Sequence, residues 1–131
     1  MKEKKLYVNE KNLDAIKSAI EAAEGKATVR TLAVADLLSK LAAAERMLYY
    51  PSKKDLAGTR VRVHASTEKL PGSYRYKAES TQAVAEFDGK GWILVEVVRD
   101  TLRQSTASKY GLEIEPSEGA RAHILATLAF C

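Results

Sequence analysis

Apolar side chains recur at three- and four-residue spacing through Leu13, Ile16, Ala19, Ile20 and Ala23, with Lys11, Asp14, Lys17 and Glu21 between them. This spacing places the apolar set on one side of a 3.6-residue period and predicts an amphipathic helix. Asn9 stands where an N-cap is wanted, Glu10 falls in the first turn, and Gly25 stands where the chain must leave the helix with positive φ. Thr28, Val29 and Thr31 make 27–32 a short extended link. A second helix follows, its stripe formed by Val34, Leu37, Leu38, Leu41, Ala44 and Leu48, with Glu45 bordering that stripe and Pro51 as the stop signal.

From residue 58 the period becomes two. Val61, Val63 and Ala65 alternate with Arg60, Arg62 and His64, and Tyr74, Tyr76 and Ala78 alternate with Arg75 and Lys77, which predicts two half-buried strands around a turn at Leu70-Pro71-Gly72-Ser73. Residues 83–87 and 92–98 flank Asp88-Gly89-Lys90-Gly91, a hairpin signal. Within 92–98, Ile93, Val95 and Val97 fall on one face and Leu94 and Val98 on the other, as in a central strand covered on both sides. Gly111 to Glu115 predicts a last strand, and Pro116 and Ser117 open a C-terminal helix whose Ala120, Ile124, Leu125 and Leu128 share a face. The fold class expected is α+β: two N-terminal helices, an antiparallel meander of about four strands, and a C-terminal helix. Residues 1–131 read as a single domain, with 1–8 either a frayed tail or, at Leu6-Tyr7-Val8, an edge strand. The break at 51–58 reads as a loop within that domain, since neither half alone buries much of a core.

Composition narrows the classes. The chain has 131 residues, 21 Lys plus Arg against 17 Asp plus Glu, two His, one Cys and one Trp. No run approaches the roughly 18 apolar residues of a membrane span, and the first residues lack the apolar stretch of a signal peptide, so a cytoplasmic protein without membrane contact is expected. One Cys excludes an intramolecular disulfide and a multi-thiolate zinc site. The net charge of +4 is spread thinly: residues 1–54 hold 11 basic and 7 acidic side chains, 55–110 hold 9 and 7, and 111–131 hold 1 and 3.

Catalytic signatures are not found. Gly25-Lys26-Ala27-Thr28 fails as a phosphate loop because residue 20 is Ile20, Ala27 follows the lysine, and Gly25 ends a helix. No Gly-x-Ser-x-Gly elbow exists. His64 reads as an exposed, partly charged imidazole on a polar strand face, and His123 as a boundary residue of the last helix. A metal site built from Cys131, His64 and His123 has no supporting spacing, and Cys131 reads as a small apolar or frayed residue. Glu86 with Asp88, and Glu96 with Asp100, are carboxylate pairs of matching strand parity. They suit cross-strand ion pairing, which is favoured, or divalent-cation binding or acid-base work if a concave site gathers them. No catalytic residue, cofactor or metal is expected.

The suggestive constellation is Arg60, Arg62 and His64 on one strand with Arg75 and Lys77 on the next. If these strands are neighbours and their basic positions share a face, they form a cationic patch for phosphate or for an acidic partner surface. Tyr74 and Tyr76 fall on the opposite face and pack beneath the helices, and Glu79, Glu86 and Glu96 are available to neutralise the row. The Ala-rich helix from Ala33 to Leu48 has two uses for its stripe: packing on the sheet, which is favoured, or packing on a second copy to give a homodimer.

The stretch Ser73-Tyr74-Arg75-Tyr76-Lys77-Ala78, the hairpin into Gly91-Trp92-Ile93-Leu94-Val95, and Ala23 to Leu32, together about a third of the chain, resemble small accessory proteins encoded by bacteriophages and other mobile elements of Gram-negative bacteria. The resemblance implies a setting in which small non-enzymatic proteins bind a host machine, including inhibitors of CRISPR or restriction complexes. The expected function is accordingly binding of a host protein or nucleoprotein complex. Direct DNA or RNA binding through the basic residues is the alternative, and a small carboxylate enzyme a third class.

Overall fold

The computed structural model describes residues 5–25, 31–65, 79–101 and 111–122. A 3-10 turn at Glu10–Asn12 leads into helix α1 (Leu13–Glu24), followed by α2 (Val34–Arg46), strand β1 (Leu48–Tyr49), the short helix α3 (Lys53–Leu56) and strands β2 (Arg60–His64), β3 (Glu79–Phe87), β4 (Trp92–Thr101), β5 (Leu112–Glu115) and β6 (Arg121–Ala122). The chain is thus a mixed helix and antiparallel-sheet protein, in keeping with the α+β expectation.

Local chemistry accounts for the first helix. Asn9 Oδ1 accepts the Lys11 amide at 3.0 Å, and Asn12 Nδ2 donates to the Tyr7 carbonyl at 2.8 Å, so the entry is capped by side chains. Gly25 takes φ of 61° and donates to the Glu21 carbonyl, ending the helix as read from its sequence. Ile16 and Ile20 are its buried stripe. In α2 the stripe is Leu37, Leu41 and Ala44, packed in the same core as Val61 and Val63 of β2 and Ala83 and Ala85 of β3. The apolar face of α2 is therefore used against the sheet. This helix stops well before Pro51: Leu48 is buried from a strand, because Leu48 and Tyr49 pair with Ala122 and Arg121.

The main sheet has the order β4-β3-β2-β5, antiparallel throughout. The meander expected from the sequence is corrected by this order. The fourth strand returns beside the first, a Greek-key order, since β5 pairs with β2 on the side away from β3. Helices α1 and α2 cover one face, onto which Val61, Val63, Ala83, Ala85, Phe87, Trp92 and Leu112 project. Phe87 and Trp92 meet edge to face with centroids 5.3 Å apart. Each large aliphatic side chain fully buried there, such as Ile16 or Leu37, contributes about 1.5–3 kcal/mol.

Strand β4 departs from its predicted pattern. The register shifts between Val84 and Ala85, with Val84 opposite Glu96 and Ala85 opposite Leu94, so Val95 is an extra, exposed residue. The bulge reverses the parity: Leu94 and Val97 share the core face, while Ile93, Glu96 and Val98 share the other. The strand also lies at the sheet margin instead of its centre. Its first residues are extended by the N-terminal segment, where Tyr7 bridges Ile93, Val8 donates to the Trp92 carbonyl and Leu94 donates to the Leu6 carbonyl. Leu6-Tyr7-Val8 thus forms the edge segment read from its sequence.

The predicted hairpin is present, and Asp88 holds its turn. Oδ1 accepts the Lys90 and Gly91 amides at 2.9 and 3.1 Å, while Oδ2 accepts Tyr7 Oη and, at 3.2 Å, Lys5 Nζ. Gly89 supplies φ of 102°.

The helix expected to open at Ser117 does not begin there. Residues 116–120 form a turn and 121–122 a strand. Ser117 is tied down on both sides, its amide donating to Thr59 Oγ1 at 3.0 Å and its hydroxyl to the Asp55 carbonyl at 2.7 Å. The remaining stripe of that expected helix, with His123 and Cys131, lies outside the described residues. The 51–58 stretch, expected as a loop, holds α3, whose Ser52 and Asp55 form a reciprocal capping box.

Candidate binding face

The face of the sheet opposite the helices is built by register. Arg60 stands opposite Glu86 on β3 and Glu115 on β5, and Arg62 stands opposite Val84 and Glu113. Val84 in turn faces Glu96, and His64 faces Gln82. Cross-strand partners share a face. The first two rows therefore carry two arginines against four glutamates, Glu86, Glu96, Glu113 and Glu115.

Arg60 is exposed, and its Nε donates to Glu86 Oε1 at 2.8 Å. Arg62 is half-buried, and its Nη1 donates to the Gln82 side-chain oxygen at 3.1 Å. A depression of about 280 Å³ lies between the arginines and Glu96, Glu113 and Glu115, with Val84 among its lining residues. Among the described residues Glu96 and Glu115 have no ion-pair partner. The row read as cationic is thus acidic in balance along β2. The sequence signal that was missed is Glu113 and Glu115, whose shared parity is visible in the chain but whose placement beside the arginines depends on β5 returning next to β2.

His64 corrects a second expectation. It is 1% exposed, not a solvated imidazole. Its Nε2 lies 2.9 Å from Glu113 Oε2, and Lys40 Nζ donates to its backbone carbonyl at 3.0 Å. Burial, the leading cause, pushes its pKa below the ordinary imidazole value against the opposing pull of Glu113, and Arg62 and Lys40 add to the lowering. Burial likewise lowers the pKa of Lys40.

Arg75 and Lys77 lie outside the described residues. The strand partners of Arg60 to Val63 are β3 and β5, and that of His64 is Gln82 of β3. The carboxylate pairs are dispersed: Glu86 binds Arg60, Asp88 holds the hairpin turn, Glu96 lines the depression, and Asp100 stands opposite Ser80 in register. Among the described residues no group of three or more His, Cys, Asp or Glu is placed to hold a metal ion, and no helix is long and apolar enough to cross a membrane.

Segments 66–78 and 102–110 are bounded by residues at one end of the sheet: Glu79 pairs with Thr101 there, and the His64 amide donates to the Gly111 carbonyl at 2.8 Å. These two segments contain Lys69, Arg75, Lys77, Arg103 and Lys109, with Glu68 the lone acid.

No protein-family model matches this chain, and no curated protein or solved structure matches it either.

Proposed function

We propose that the chain is a non-catalytic binding protein of a phage or mobile element, acting in the cytoplasm of a bacterial host on a nucleic-acid-handling complex as a defence inhibitor of the anti-CRISPR type. The observation that carries this reading is the separation of charge: an acidic sheet face at Glu96, Glu113 and Glu115, and basic connecting segments whose bounding residues meet at one sheet end. A nucleoprotein complex offers complements to both, a basic protein surface and exposed phosphate. The resemblance of Ser73 to Ala78 and Gly91 to Val95 to mobile-element accessory proteins supports the setting.

The test is affinity capture from a bacterial lysate, with and without nuclease. Nuclease-resistant recovery of one CRISPR or restriction complex, lost in the Glu96→Lys, Glu115→Lys double variant, is the expected result. Recovery of many nucleic-acid-bound proteins, abolished by nuclease, rejects it in favour of direct nucleic-acid binding. That second reading is favoured specifically by the concentration of Lys69, Arg75, Lys77, Arg103 and Lys109 in two segments. It predicts an affinity for DNA or RNA that falls steeply with salt and is reduced in Arg75→Ala, Lys77→Ala. In that reading Arg60→Ala has little effect, because Arg60 is already paired with Glu86.

A further inference from the structure

His64 Nδ1 and Ser80 Oγ are buried polar atoms with no hydrogen-bond partner among the described residues, in side chains 1% and 0% exposed. Folded proteins rarely leave such atoms unmade, so each implies an occupant. The register brings the two together. His64 on β2 stands opposite Gln82, and Ser80 lies two residues along β3 from Gln82, so both side chains rise from the same sheet face as diagonal neighbours. Diagonal neighbours stand about 7–8 Å apart, within reach of an aromatic ring, yet Nδ1 and Oγ make no hydrogen bond to each other, an arrangement that suits one small bridging molecule.

The other ring nitrogen settles what that molecule must offer. Nε2 lies 2.9 Å from Glu113 Oε2, and an ionised carboxylate only accepts, so Nε2 carries the hydrogen. In a neutral ring Nδ1 is then a bare acceptor. The Ser80 hydroxyl both donates and accepts. The missing partner must donate to Nδ1 and is free to accept from Oγ, and it must be small enough to sit beside side chains as buried as His64 and Ser80.

We propose that a single buried water bridges Ser80 Oγ and His64 Nδ1, so that Ser80, the water, His64 and Glu113 form one hydrogen-bonded relay across β3, β2 and β5. No proton changes owner in the resting relay: the serine hydroxyl donates to the water, the water donates to Nδ1, and Nε2–H donates to Glu113. The relay joins the buried end of this sheet face to Glu113, which lines the depression beside Arg62. It does not depend on what the depression binds.

Nitrogen-15 spectroscopy of the imidazole and water-to-protein NOEs on the full chain test this. The expected result is a neutral, Nε2-protonated His64 at neutral pH and a cross-peak from one slowly exchanging water to both Ser80 and His64. In Ser80→Ala the water cross-peak disappears while the Nε2–H resonance persists. An Nδ1-protonated ring, a folded wild-type protein without the cross-peak, or a cross-peak unchanged in Ser80→Ala would each overturn the proposal. The wild-type tautomer and cross-peak decide the matter even where Ser80→Ala does not fold.

Discussion

Replacing Asp88 by alanine removes a carboxylate that accepts four hydrogen bonds: the Lys90 and Gly91 amides, Tyr7 Oη and Lys5 Nζ. Hydrogen bonds to a charged group contribute about 1.5–3 kcal/mol each, whereas an exposed lysine contact contributes about 0–1 kcal/mol. The bonds share one carboxylate and do not add, and the freed turn amides regain water at the surface. The expected loss in Asp88→Ala is therefore about 3 kcal/mol. Asp88→Asn keeps an oxygen for the turn amides but loses the charge, and should cost about 1–1.5 kcal/mol. Urea unfolding followed by fluorescence reports this directly, because the single Trp92 is buried against Phe87 in the strand that the turn begins. A change below about 0.5 kcal/mol in Asp88→Ala would refute the view that this carboxylate organises the hairpin. The link to the N-terminal segment has its own test. A double-mutant cycle with Tyr7→Phe should show a measurable coupling, and strictly additive losses would show that Tyr7 does not support the turn. The Tyr7 hydroxyl, foremost, and the Lys90 and Gly91 amides hold the Asp88 carboxyl well below the usual carboxylate range. The stability it contributes is thus fully present above the unfolded value of about 3.9 and is lost as the pH falls toward the folded one. Asp88→Asn should flatten that acid limb.

His64 supplies a second pH dependence. Its folded pKa is lowered chiefly by burial, so its contribution is present above the unfolded value of about 6.5 and declines as the pH falls through the folded one; chemical denaturation across that range should show the decline, and His64→Gln should remove that part of the slope. Gly119→Ala should destabilise by about 1–3 kcal/mol, since an added Cβ would lie 2.7 Å from the Asp55 carbonyl oxygen and 2.9 Å from its Cα, atoms of a capped helix that cannot easily yield; unchanged thermal unfolding would contradict the docking of that turn on α3. Leu37→Ala should cost about 2–5 kcal/mol, as the side chain is fully buried where α2 meets the sheet, and a smaller loss by urea unfolding would place α2 outside the core.

Periodicity alone determined much of this protein. The apolar stripes of α1 and α2, the alternation of Val61 and Val63, and the Asp88-Gly89 turn are local patterns, and each reappears in the structure because burial acts on one face of one element at a time. The capping role of Asn9 and the positive φ of Gly25 are local for the same reason. What failed depended on contacts between distant residues. Ser117 begins no helix because Thr59 and Asp55 take its hydrogen bonds, and Leu48 leaves the helical stripe because residues 121–122 pair with β1. The Val95 bulge reversed a face assignment that simple alternation could not anticipate.

The candidate face follows the same division. Sequence parity by itself placed Arg60, Arg62 and His64 on one side of a strand, and that alternation holds. Only the tertiary structure decided what they meet. By bringing β5 beside β2 it set Glu113 and Glu115 against the arginines and buried His64 against a carboxylate, turning a row of apparent cations into an acidic face. The physical reason is that a side chain's facing is set by the backbone of its own strand, whereas its charge environment is set by which strand lies alongside, and that pairing is written in contacts about fifty residues apart along the chain.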